Sequence, residues 1–97
     1  METIFNQINL IEKEEISKCS FPKEEVIQDA ALILTRTENL AKGLKLGNNY
    51  KGKVEIIFED NEAVKKVETT VWGITENYII LKRDILIPVK RVHSVSF

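Results

Sequence analysis

The stretch VETTVWGITENYIIL, residues 67–81, decides how the second half of the chain is read. Its β-branched and aromatic residues alternate as in a strand, with Val67, Thr69 and Val71 on one face and Thr70, Trp72 and Ile74 on the other. Gly73 interrupts the run beside the chain's only tryptophan. From Val64 to Glu76 the pattern makes one strand of thirteen residues, long for a small sheet. Glycine suits a place where a strand bends or bulges, so a bend is predicted at Gly73, with the two halves of the strand joining opposite sides of a small barrel. Both faces are apolar and both need cover. Trp72 is therefore expected to pack beneath a helix.

The period-two pattern extends on either side. GKVEIIFE (52–59) alternates Val54, Ile56 and Phe58 with charged residues, and DNEA (60–63) is a turn cluster. NYIILK, ILIPV and KRVHSVSF supply three further strands. Connections this short join antiparallel neighbours, which predicts a five-stranded meander.

Residues 1–46 have helical periodicity instead. Ile4, Ile8 and Ile11 mark a short amphipathic stripe. In CSFPKEE (19–25), Ser20 is a candidate cap, Pro22 suits a first helical turn, and Glu24 and Glu25 favour a helix N-terminus. Val26, Ala30, Ile33, Thr37, Leu40 and Leu44 then repeat at helical spacing, widened by Ile27, Ala31, Leu34 and Ala41. Gly43 weakens this helix, and Gly47 is placed to end it.

A helix followed by five short strands resembles the Sm-like small barrels, relatives of the SH3-like barrels, over residues 40–97. GITENYIILK is similar to the glycine, polar turn and apolar strand of the first Sm motif, and ILIPVKRVHSV to the strand, turn and strand of the second. The Arg-Gly pair of the eukaryotic second motif is absent. In place of the Tyr-Lys-His signature of the bacterial RNA chaperones, Lys90 and His93 are separated by Arg91 and Val92. The wording VETTVW…ILK…IP…RVHSV also looks like a small bacterial family of uncharacterised proteins, a resemblance that implies a fold and no activity. The expected architecture is α+β: one or two N-terminal helices packed on a five-stranded antiparallel Sm/SH3-like barrel, in a single domain of residues 1–97 with a helical part at 1–46 and the barrel at 47–97.

Composition bounds the function. A chain with 43% apolar and 30% charged residues has enough apolar surface for a core, and a net charge of −1 excludes a broadly basic nucleic-acid binder. Cys19 is the only cysteine, so no intrachain disulfide forms and a reducing, cytoplasmic setting is the simpler reading. The N-terminus lacks the basic region of a secretory signal, and no apolar run is long enough to span a membrane.

Catalytic chemistry has little footing. His93 is the only histidine, no nucleophile elbow or phosphate-binding loop occurs, and the carboxylate pairs at 14–15 and 24–25 diverge on a helix. No enzyme, cofactor or metal site is expected. The candidate contact residues are basic and aromatic: Lys82 and Arg83 in one turn, Lys90 and Arg91 in the next, Lys51 and Lys53 at the first strand, and Tyr50 or Trp72 as stacking surfaces. The expected function is a non-enzymatic small-barrel interaction module whose partner is an unidentified protein or, through an edge strand or the helix face, a second copy of the chain, with Sm-like RNA binding as the alternative.

Overall fold

A computed structural model describes residues 8–97. The fold is α+β, with one α-helix and two sheets. β1 (Asn9–Ile11) leads through a 3-10 helix (Lys13–Lys18) and an irregular segment to α1 (Ala30–Tyr50). Then follow β2 (Val54–Glu59), β3 (Val64–Thr69), β4 (Val71–Ile74), β5 (Tyr78–Leu81), β6 (Ile85–Pro88) and β7 (Val92–Ser96). One sheet has the order β1-β3-β2-β7 and the other β4-β5-β6.

The strands fall where the alternation predicts, but their pairing is not the expected meander, since β7 pairs with β2 and not with β6. β2 pairs antiparallel with β3 and β7, β4 with β5, and β5 with β6. Val54, Ile56, Phe58, Val67, Val71, Ile79, Leu81, Ile87 and Val92 form the buried centre. The five expected strands do not close into one sheet. The long strand breaks at Thr70 rather than at Gly73, giving β3 to one sheet and β4 to the other. Within β4 the register shifts, Val71 opposing Leu81 and Gly73 opposing Ile80, so Trp72 is the residue left without a partner. Trp72 therefore does not pack beneath the helix; it is 55% exposed.

The N-terminal half departs further from its periodicity. Ile4 lies outside the described residues. Residues 9–11 form no helix but a strand parallel to β3, Ile11 opposite Val67. The predicted helix start at Pro22 is also not found, because residues 20–29 are spent on tertiary bonds. The Val26 N–H donates to the Lys90 carbonyl. Glu25 receives two hydrogen bonds from Arg36, at 2.7 and 2.6 Å, and Arg36 Nη1 also donates to the Val92 carbonyl at 3.0 Å. The helix begins instead where Asp29 caps the Ala31 N–H at 2.8 Å.

The buried line of α1 is Arg36, Leu40, Gly43 and Gly47, at helical spacing but rotated from the expected apolar stripe. Thr37, Ala41 and Leu34 face outward. Gly47 does not end the helix; it lets the helix backbone lie against β4. A Cβ there would overlap the Val71 carbonyl oxygen, whereas at Gly43 it would meet Val54 at an ordinary 3.5 Å. The two glycines should thus respond oppositely to alanine. Gly43→Ala should raise stability by up to about 1 kcal/mol through helix propensity. Gly47→Ala should lower it by about 1–3 kcal/mol despite the same gain. Urea denaturation checks the pair, and equal responses would remove the close approach.

Candidate polyanion-binding groove

Four segments meet around Trp72. Gly47, Asn48 and Lys51 come from the end of α1, Lys53 from the entry to β2, Thr70 and Trp72 from the β3–β4 break, and Lys82 from the turn after β5. They line a groove of about 520 Å³. Three of its seven lining residues are lysines and none is acidic. Among the described residues, none of these three lysines forms an ion pair.

Local geometry explains how the groove opens. Lys51 caps α1 in the left-handed region at φ 52°, its N–H donating to the Gly47 carbonyl, and Gly52 donates to the Leu46 carbonyl. Thr70 Oγ1 donates to the Lys51 carbonyl at 3.4 Å and ties the cap to the strand break. A left-handed lysine is uncommon, and glycine would adopt the same turn with less strain. Complementing the helix C-terminus accounts for cations at Lys51 and Lys53. It does not account for Lys82, which arrives from the other sheet, or for an indole left half in water.

The remaining contact candidates disperse. Tyr50 is the last helical residue and 78% exposed, but does not line the groove. Arg83 is exposed and left-handed at φ 68°. It contributes to holding the Glu14 carboxyl below its ordinary range, after Glu14's backbone hydrogen bond and the neighbouring Lys13. Lys90 lines a separate groove with Lys23, Asn77 and Tyr78. Arg91 is 6% exposed and structural. Its Nε donates to the Glu59 carbonyl at 3.0 Å and its Nη1 to the Glu24 carbonyl at 2.8 Å. It is closed to a ligand.

The other polar clusters also serve the fold. His93 Nε2 lies 2.8 Å from Glu59 Oε1. In the β2–β3 turn, Asp60 Oδ1 accepts from the Glu62 and Ala63 N–H groups at 2.8 and 2.9 Å, while Oδ2 accepts from Lys65 Nζ at 2.6 Å. Burial pushes the Asp60 carboxyl up, but Lys65 and the two N–H groups outweigh it and leave it well below the usual carboxylate range. The Arg36 hydrogen bonds likewise hold Glu25 low, against its own desolvation. Burial, with Asp60, pushes the Cys19 thiol up, the opposite of an activated nucleophile. A second cleft, of about 480 Å³ beside Arg36 and His93, is lined largely by apolar atoms, and the terminal nitrogens of Arg36 are committed to Glu25 and Val92. Among the described residues no cluster of three or more His, Cys, Asp or Glu could hold a metal, and no helix is long and apolar enough to cross a membrane.

Comparison with protein-family models, curated proteins and solved structures returns no match.

The lowered carboxyls of Asp60 and Glu25 stabilise the fold when ionised. That stabilisation is complete above their ordinary values of 3.8 for Asp60 and 4.5 for Glu25, and is lost as pH falls toward the folded values. Denaturation midpoints should be level near neutrality and drop below about pH 4.5, by the equivalent of about 1–3 kcal/mol. Asp60→Asn should flatten part of that slope; an unchanged slope in the variant would contradict the assignment.

Proposed function

We propose that the chain is a non-enzymatic, cytoplasmic binding module that recognises a polyanion through the Trp72 groove. One observation carries the reading: the only tryptophan is held out of the core by a register shift, among three lysines supplied by separate elements. Lysines at this density repel one another when the groove is empty, and a ligand's negative charge relieves that repulsion. β3 and β4, read as the two arms of one bent strand, are the feature that favours kinship with Sm/SH3-like small barrels, although the two sheets do not close into one barrel.

Self-association through a sheet edge is weakened by the N-terminal segment. β1 occupies the outer side of β3. At the start of β7, Val26 and Arg36 take the Lys90 and Val92 carbonyls. The 3-10 helix packs against β6 and buries Ile16 in the core. The edges at β3, β6 and the start of β7 thus offer few groups for pairing with another copy, which favours a single subunit, while the outer edge of β4 and the exposed Leu32 and Leu34 of α1 are the surfaces left for association.

Two measurements test this. Light scattering at two concentrations should give a mass near the 11.1 kDa of one chain; a ring-sized species would overturn the single-subunit reading. Titration of labelled protein with inorganic tripolyphosphate should move the amide resonances of Lys51, Lys53, Thr70 and Lys82 and the Trp72 indole N–H. Shifts centred on Lys23 and Lys90, or none, would reject the groove.

A further inference from the structure

The groove's chemistry specifies more than negative charge. It pairs an exposed indole, which offers a flat π-surface, with lysines rather than arginines, and adds one amide (Asn48) and one hydroxyl (Thr70). We propose that its ligand is single-stranded nucleic acid, with a base stacked on Trp72 and the flanking phosphates held by Lys51, Lys53 and Lys82. This rests on the polyanion reading above and names the ligand class for that same site.

Each feature favours this class over the alternatives. A polyphosphate or an acidic peptide has no use for an exposed indole, whereas every nucleobase has a π-face to place on it. In a duplex those faces are stacked away, so only unpaired nucleotides present them. Phosphorylated side chains are typically gripped by the bidentate fork of arginine, and the groove holds no arginine. Lysine acts as a point charge on a phosphate backbone and reads no sequence. The Asn48 amide and the Thr70 hydroxyl, already engaged with the Lys51 carbonyl, are the only uncharged polar side chains there for a base edge, so recognition should tolerate most sequences. A volume of about 520 Å³ is on the scale of a small-molecule site, so the groove holds a short piece of strand and leaves the rest outside.

The salt dependence follows from the number of cations. Three phosphate contacts on a single strand give a slope of log K against log salt of about −2. Lys82→Ala should weaken binding at all sequences and reduce that slope by about 0.7. Trp72→Leu should weaken binding about tenfold or more while leaving the slope unchanged, because stacking releases no counterion.

The test uses the full chain and fluorescence anisotropy of a labelled oligothymidylate or oligouridylate of about fifteen nucleotides. Competitors are the duplex of equal length, tripolyphosphate at matched charge and a phosphoserine peptide. Trp72 emission is followed in parallel, and circular dichroism establishes that each variant is folded. Expected are quenching of Trp72 by the single strand, weaker competition from all three competitors, and the two variant signatures above. Equal binding of tripolyphosphate with Trp72→Leu unaffected would overturn the nucleic-acid assignment and leave the polyanion reading standing. Tighter binding of duplex or phosphopeptide would do the same. No binding of any probe would overturn both.

Discussion

The arrangement depends on how closely α1 can lie on β4. At Gly47 there is no side chain between the helix backbone and the Val71 carbonyl, so the last turn of the helix rests on the strand itself. That contact sets Asn48 and Lys51 beside Thr70 and Trp72, where the two sheets part. A larger residue at 47 would lift the helix end and separate the walls of the groove. The other end of α1 is fixed by different means: Arg36 reaches back to Glu25 and across to Val92. Glycine contact at one end and a buried ion pair at the other hold the helix over both sheets.

The charged side chains divide into two groups by what the fold does with them. Arg36, Arg91, Asp60 and Lys65 have their hydrogen bonds satisfied by carbonyls, N–H groups and opposite charges, apart from Arg36 Nε, which is buried without a partner. Burying such groups is favourable only when they are partnered, and breaking a buried pair is costly because it strands the remaining charge. Lys51, Lys53 and Lys82 instead converge on a groove without acidic lining. This contrast separates structural cations from ligand-facing ones more sharply than net charge does. The whole chain is nearly neutral, yet three of its exposed lysines line one groove.

Strand positions were legible because alternation has a short period and one face of each strand is buried. Trp72 and Lys82 stood out by residue type. Clustered loops at one end of a small barrel also suggest that some of the basic residues converge beside Tyr50 or Trp72; that it is Lys51, Lys53 and Lys82 depends on a register shift and a left-handed cap that pattern alone does not reveal. The helix was misread where tertiary bonds override local preference. Pro22, Glu24 and Glu25 look like a helix start, but Glu25 is claimed by Arg36 from eleven residues away. Arg36 itself reads as a solvated residue, and Gly47 as a helix terminator; both face the sheet. Arg91 looked identical to its neighbour Lys90 in sequence, and only its hydrogen bonds to Glu59 and Glu24 set it apart.

Trp72 stands in solvent among three lysines, within a locally positive field. Its fluorescence measures this directly, as the chain has no other tryptophan. Quenching should be compared for iodide and caesium at equal, low ionic strength. Relative to free N-acetyltryptophanamide, the ratio of iodide to caesium quenching should be raised for Trp72, and it should fall toward the free value as inert salt screens the lysines. A ratio equal to that of the free indole at low salt, or an indole that neither ion reaches, would mean that no such field surrounds it.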